Sequence, residues 1–521
     1  VPSLAWWISL AIGFLSLSEE ILWVRVAGFE FRGEPPAFSF VLAMYLLGIA
    51  LGAAYGKRLC ARLENLDLYG AAALVLAAAA LGDASLPLVI GHLMSPFGPL
   101  IVPGAAILLT AGIKSVLFPI VHHLGSDSRG PRVGRSVSRI YFANIVGATL
   151  GPLITGFIAL DHLSIDECFA VSSVSCLLLA AAALRRSIGR ELIRPVLITG
   201  GLAVAIGSLT IRSGPGSLAN LAAEGPGSMI YYAANRHGVI HTARALHGET
   251  VFGGNVYDGL PSVDVDRNAN RLDRVYMLGL IHPRPARILF VGLSAGAWVR
   301  AVEGIPGVES IDVVEINPAY LDLIRQRSHL EPLLEDPRIR IHIDDGRRWL
   351  RRNPDARFDA IVQNTTFHWR ANVGNLLSRE YFELIRDHLS PGGVMLANTT
   401  GSFDVYATAE SVFTHAYRYN TFVYGSDQPL EPRIERLPSI ERPDGAPFDS
   451  AQTEPLSVVS RLRSARWDSA EEFLASHPGS RAELITDDNL MSEYRHGSRF
   501  GLSLLRALEP SPPATFSVED P

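Results

Sequence analysis

The stretch that decides the fold is 286-ARILFVGLSAGAWVRAVEGIPGVESIDVVE-315. A short apolar run, Ile288 to Val291, enters a loop holding Gly292, Ser294 and Gly296. A helical segment comes next, and a second apolar run, Ile311 to Val314, ends on Glu315. The order is strand, glycine turn, helix, strand, carboxylate. Glycine lets a backbone approach a ligand closely, and the helix start behind it offers unpaired N–H groups. The acid falls about 20 residues beyond the glycines, the spacing at which a carboxylate can accept from the hydroxyls of a ribose. The loop departs from a strict GxGxxG, so its significance depends on the loop, the acid and the later strand ends together.

Downstream, apolar runs at 339–343, 358–363 and 393–397 alternate with helical patterns. Ser378 can cap a helix with Tyr381, Phe382, Ile385 and Leu389 on one face, and Pro391-Gly392-Gly393 is expected to end it. This alternation predicts an α/β doubly wound (Rossmann-like) domain with right-handed crossovers, in which ligands bind at the carboxyl ends of the strands. Residues 292–296, Glu315, Asp344 with Asp345, and 364–367 all fall at such ends. Glu315 can hold a ribose, the alternative being a surface carboxylate. Asp344 or Asp345 can accept from an exocyclic adenine amine, the alternative being a cap on the next helix. Asn398, Thr399, Thr400 and Gly401 make a second polar patch at the fifth strand's end, or simple turn chemistry. Upstream, runs at 238–246 and 250–257 predict an amino-terminal β-hairpin.

The first part of the chain is different in kind. Of 521 residues 48% are hydrophobic, and most long apolar runs lie before about residue 212. Seven stretches, near 4–24, 37–56, 68–90, 99–122, 139–160, 166–184 and 195–211, approach the length that spans about 30 Å of hydrocarbon. They predict a multi-pass α-helical membrane domain. Gly48, Gly52 and Gly56, and Gly147 and Gly151, are spaced for close helix contact. Glu19, Glu20 and Lys114 are costly in lipid and are expected to face the bundle interior, paired or watered. Basic residues come after the second span (Lys57, Arg58, Arg62), the fourth (Arg129, Arg132, Arg135, Arg139) and the sixth (Arg185, Arg186, Arg190, Arg194). The positive-inside rule puts those loops and the amino terminus in the cytoplasm. Seven full crossings would then leave the second domain outside. Adenosyl compounds are cytoplasmic and 195–211 is short and glycine-rich, so the expectation is a cytoplasmic second domain on a plasma (inner) membrane protein. The resulting division is 1–212 transmembrane, 213–229 linker, 230–265 hairpin subdomain, 266–505 nucleoside-binding domain and 506–521 disordered tail.

The net charge of −6 and the absence of a basic patch exclude a nucleic-acid partner. Cys60, Cys168 and Cys176 show no CxxC spacing, so no metal or disulfide framework is expected. One rival survives composition. Residues 292–296 also fit GxSxG, the nucleophile elbow of α/β-hydrolases, with a later histidine such as His368 completing a triad.

The sequence of motifs VGLSAG, VEINP, DPRIRIHIDDGRRWL, FDAIVQNTT and LLSREYFELIRDHLSPGG resembles the spermidine synthase family of aminopropyltransferases, which share the class I methyltransferase fold, over roughly 230–425. The segment YFANIVGATLGPLITGF, 141–157, looks like the multi-span domain fused to some of these proteins, itself similar to half of a major facilitator transporter. The resemblance implies that Glu315 binds ribose and that Asp345 lies by the adenine. It implies decarboxylated S-adenosylmethionine, or S-adenosylmethionine, as co-substrate, with no metal. Gly292, Ser294, Gly296, Asp344, Asn364 and Thr365 complete the expected cofactor contacts. Partners on this reading are a small-molecule acceptor of polyamine kind, the bilayer, and further copies of the chain. A methyltransferase, or a non-catalytic adenosyl-binding membrane protein, are the alternatives.

The departures concern the acceptor. The family carries acids after the fourth strand, where this chain has Asn364-Thr365-Thr366-Phe367-His368. A primary amine of pKa about 10.4 is protonated at pH 7, and freeing its lone pair costs roughly 4–5 kcal/mol. Asparagine cannot take that proton. His368 is the nearest base, so Asn364 and His368 are the expected catalytic pair. Phe367, Trp369 and Arg370 are expected to line the acceptor pocket, Arg370 toward a carboxylate or phosphate.

Overall fold

The computed structural model describes residues 3–62, 67–94, 98, 100–126, 133–187, 190–212, 216–222, 229–245, 248–364, 367–449, 454–478 and 480–495. The chain forms two compact units, one helical and one α/β. The expected tail at 506–521 and most of the expected linker lie outside the described residues.

The helical unit holds seven helices long and apolar enough to cross a membrane: α1 Leu4–Glu30, α2 Pro36–Arg62, α3 Leu68–Leu93, α4 Ile101–Gly125, α5 Gly134–His162, α6 Ile165–Leu184 and α7 Ile193–Thr210. Small residues set their closest approaches. A Cβ at Gly52 would overlap the Gly112 carbonyl oxygen, and one at Gly147 would overlap that of Leu10. The α2–α4 and α1–α5 pairs therefore pack backbone against backbone, the close approach that small residues permit.

At the centre of this unit Lys114 of α4 meets Glu19 of α1 and, at 2.8 Å, Asp83 of α3. Asp83 also accepts from Ser172 of α6 at 2.6 Å, and Glu19 accepts from the Trp23 indole at 3.3 Å. Lys114 and Asp83 are fully buried and Glu19 nearly so. Glu19 and Lys114 are thus paired as the sequence suggests; Asp83, to which no sequence pattern points, completes the group. A charge buried in apolar surroundings persists only with a partner, so this cluster pins four helices in one register.

In the α/β unit, a small sheet of β1 Met229–Asn235, β2 Gly238–Ala245, β3 Gly248–Gly253 and β4 Tyr257–Gly259 runs in that spatial order. The pair β2–β3 is antiparallel, Ala245 facing Gly248. Helix α8, Asp273–Ile281, leads into the main sheet. Its strands are β5 Arg287–Val291, β6 Ser310–Glu315, β7 Ile339–Ile343, β8 Phe358–Gln363, β9 Leu389–Asn398, β10 His415–Tyr419, β11 Phe422–Ser426 and β12 Asp468–Ser469. Their order is β12-β10-β11-β9-β8-β5-β6-β7. From β7 to β9 the pairing is parallel; β11, β10 and β12 are antiparallel additions.

Both faces are covered over the central strands β5, β6, β8 and β9, which are accordingly rich in apolar residues. Ile288 and Phe290 of β5 join the core under α9 (Ala297–Val302) and α10 (Ala319–Arg325). Leu289 and Val291 join the core on the other face with α12 (Arg379–Asp387) and α13 (Phe403–Val412). The chain winds outward from β5 through β6 to β7, then returns through α11 (Gly346–Arg352) to β8 on β5's other side. The loops leaving β5 and β8 therefore part in opposite directions and open a crevice at the strand ends.

One expectation is corrected. Pro391, Gly392 and Gly393 do not end the preceding helix, which stops at Asp387; they lie inside β9. Gly392 takes φ 81° there, and the β8–β9 register shifts between Phe358 and Ala360. Proline and glycine fit a strand where an irregularity removes the need for a regular ladder bond.

Replacing Lys114 by Met leaves two buried carboxylates without their cation. The expected loss is about 3–5 kcal/mol, read as a lower melting temperature of the detergent-solubilised protein. Adding Glu19→Gln and Asp83→Asn to Lys114→Met recovers much of it.

Candidate functional site

The loop after β5 makes its turn on left-handed residues: Gly292 at φ 93°, Ser294 at 48° and Gly296 at 79°. Gly292 donates to the Val314 carbonyl at 2.9 Å, which holds the loop against the end of β6. Glu315, 4% exposed, closes the same corner. One carboxylate oxygen accepts from the Leu293 N–H at 2.7 Å and the other from the Asn317 N–H at 2.8 Å. Burial pushes its carboxyl up to about 7; the N–H groups of Asn317 and Leu293 oppose that shift. A carboxylate offers about four lone-pair directions, so two remain in the group's capacity.

Asp344 and Asp345, at the end of β7, both have local work. Asp345 caps α11, accepting from the Arg348 N–H at 2.8 Å. Asp344 pairs with Arg348 and, at 3.5 Å, with Arg352. The capping alternative is therefore realised for Asp345, whose second oxygen is not used by that bond.

At the end of β8, Asn364 lies beside the glycine loop: a Cβ at Gly292 would sit 3.9 Å from its carbonyl oxygen. Its side-chain oxygen accepts from Asn398 at 3.0 Å. Thr365 and Thr366 lie outside the described residues. Phe367 and Trp369 stack with ring centres 5.4 Å apart. The imidazole of His368 meets the Thr400 hydroxyl at 2.7 Å through Nδ1. Asn364 and His368 are thus joined to the polar patch at 398–401, at the ends of β8 and β9.

Asp258 and Tyr320, which no sequence motif marks, stand at the same crevice. Asp258, at the end of β4, accepts from the Tyr320 hydroxyl of α10, and its carbonyl accepts from Ser294 Oγ at 2.5 Å. Burial raises the Asp258 carboxyl, against the Tyr320 hydroxyl and the Arg370 guanidinium. Arg370 in turn is lowered by burial, with Asp258 restoring part of the shift. No spacing or periodic signal in the sequence points to Asp258 or Tyr320. Ser294 donates to a main-chain carbonyl, and among the described residues no histidine is its hydrogen-bond partner, so the arrangement differs from a hydrolase triad. Asp487 binds Arg347 through both oxygens at 2.7 and 2.6 Å and accepts from Ser378. Among the described residues, no three His, Cys, Asp or Glu side chains gather as a metal would require.

Residues 275–414 match the spermine/spermidine synthase domain model. Polyamine aminopropyltransferase 2 of Streptomyces coelicolor is 27% identical over 403 residues, 72% of this chain and 69% of that protein. The polyamine aminopropyltransferase of Mycobacterium tuberculosis is 25% identical over 390 residues, 69% of this chain and 70% of the relative. Among solved structures, the spermidine synthase from Thermotoga maritima aligns with a TM-score of 0.33 at 18% identity, covering 41% of this chain and 76% of that one.

Glu315 generates a stability prediction. Its folded value, about 7, lies above the ordinary 4.5. Between those limits the folded protein keeps a proton that the unfolded chain has released. This group's contribution to stability therefore falls as pH rises through that window and is constant above it. Glu315→Gln is expected to flatten the decline in melting temperature between about pH 4.5 and 7.

Proposed function

On a chain whose C-terminal part is a spermidine synthase domain, we propose a membrane-bound transferase. It moves an aminopropyl or other alkyl group from decarboxylated S-adenosylmethionine, or a relative of it, to a small-molecule acceptor. The observation that supports this most is the buried Glu315 at the end of β6, hydrogen-bonded directly to the glycine bend that leaves β5. On this reading Glu315 takes the ribose hydroxyls, and Gly292, Ser294 and Gly296 bring the backbone up to the nucleoside. Asp345, with Asp344 beside it, receives the adenine amine, and Asn364 closes the far wall, with Thr365 as a further proposed contact.

The donor's sulfonium is already activated. The acceptor nitrogen attacks the carbon next to sulfur, the N–C bond forms, the C–S bond breaks, and a neutral thioether leaves. The protein has to hold the two partners in line and receive the proton released from nitrogen. Asn364 can orient the amine but not deprotonate it, so His368 serves as base. Phe367, Trp369 and Arg370 form the acceptor side. Arg370 and the missing acid together favour an acceptor less cationic than an ordinary polyamine.

The apolar helices support a multi-pass protein of the inner membrane, with a half-facilitator-like bundle, the amino terminus inside, and the short, glycine-rich α7 lying in the interface instead of crossing. The α/β unit sits on the cytoplasmic side, where its donor is made. A fluorescent protein fused after residue 521 should then light up in intact cells. A silent fusion, rescued by an export-competent fluorophore, reverses the assignment.

The ligand test is equilibrium binding of 5′-methylthioadenosine to the solubilised full chain. Glu315→Ala is expected to weaken it about 100-fold, as two charged hydrogen bonds are lost. Because hydroxyls donate to the ionised form, affinity for the parent should rise with pH toward 7 and level off above it. No binding to the parent would sink the proposal.

A further inference from the structure

We propose that the basic end of α7 is a binding site for an anionic phospholipid: Arg190 and Arg194 take the phosphate, and Ile193, Leu197 and Ile198 lie along the first part of an acyl chain. This inference rests on the membrane reading above and goes beyond it by assigning the helical unit a lipid of stated charge.

The sequence separates two kinds of residue here. Arg185, Arg186, Arg190 and Arg194 fall within ten residues, and beyond Arg194 the helix carries no charge to its end at Thr210. Arginines gathered where an apolar helix meets the cytoplasmic surface concentrate positive potential at the level of anionic headgroups.

Geometry turns that charge into a site. Ile193, Arg194, Leu197 and Ile198 are spaced by three and four, so they share one side of α7. Together with Arg190 they line a hollow of about 610 Å³. Pockets for small ligands occupy roughly 300–1,000 Å³. The charged residues stand at one end of the hollow, and Leu197 and Ile198 follow about 4–6 Å farther along the helix. A phosphodiester with an acyl chain behind it has the same order, charge first and hydrocarbon after.

Both halves of the hollow present themselves outward. Arg190 and Arg194 are exposed. Among the described residues no ion pair engages either of them. A guanidinium offers paired N–H groups that match two oxygens of a phosphate. Leu197 is 64% exposed and Ile198 54%, and α7 is the least covered of the seven helices.

Charge complementarity selects the occupant. A free phosphate would use the arginines and leave the apolar wall bare. A zwitterionic lipid would cover the wall but bring a second cation toward two guanidinium groups. An anionic phospholipid satisfies both ends at once.

The test uses the full chain, extracted in mild detergent and freed of loose lipid. Phosphatidylglycerol, phosphatidylcholine and inorganic phosphate are offered separately, and bound species are read by native mass spectrometry. The parent should retain phosphatidylglycerol about tenfold better than phosphatidylcholine. Arg190→Gln with Arg194→Gln should lose that preference, yet melt with the parent in phosphatidylcholine, because both side chains are exposed. Arg190→Lys with Arg194→Lys keeps every charge that orients the helices, but should keep only part of the preference, since an ammonium lacks the paired donors. An undiminished preference in the glutamine variant overturns the inference. Equal retention of the two lipids also overturns it, leaving an apolar groove without selectivity. Displacement of the lipid by an excess of inorganic phosphate, or a parent dimer that carries no lipid and that the glutamine variant breaks, overturns it in favour of those occupants. A parent that enters solution without detergent overturns the membrane reading and this inference together. One that needs detergent but retains no phosphatidylglycerol overturns this inference alone.

Discussion

The hydrogen bond from the Leu293 N–H to Glu315 joins the loop after β5 to the end of β6. The loop that leaves β5 has three residues in left-handed conformations, and such a turn keeps its shape only if its N–H groups are answered. The answer comes from an acid on the neighbouring strand, whose place is fixed by five parallel residue pairs between β5 and β6. A shift of one residue in that register would turn Glu315 to the other face and leave the loop unsupported. The same bond keeps a carboxylate in a buried place at a cost in desolvation, which is why its titration moves toward neutrality.

Much of this was legible in the sequence. The strands at 287–291, 339–343 and 358–363 could be placed because each is a short apolar run closed by glycine or a polar residue, and a parallel sheet covered on both faces leaves that trace. The antiparallel strands β10, β11 and β12 left little trace. They carry tyrosine, arginine and histidine among their apolar residues, and β12 is two residues long. Pro391-Gly392-Gly393 misled because proline and glycine mark helix ends and strand irregularities alike.

The place of Glu315 beside the loop could be read because one spacing rule connects the two. Asp258 could not, since the small sheet that brings it to Ser294 and Tyr320 lies outside any periodic pattern shared with the main sheet. Asp83 was hidden for a related reason. A lone acid in a run of alanines carries no sign of its partner, and Lys114 is 31 residues away. Contacts made only by tertiary packing are the ones a linear reading misses.

The outer strand β7 has a consequence of its own. It ends the main sheet, so its free edge presents unpaired N–H and carbonyl groups of the kind that recruit strands from other molecules. Its sequence, Ile-Arg-Ile-His-Ile, places Arg340 and His342 on alternate positions, and His342 reaches Asp312 on β6 at 2.8 Å. Charged and polar side chains along an edge strand discourage its pairing with another chain. The polar residues of β7 thus act as gatekeepers against fibrillar growth, a protection most valuable while the chain is still emerging from the ribosome.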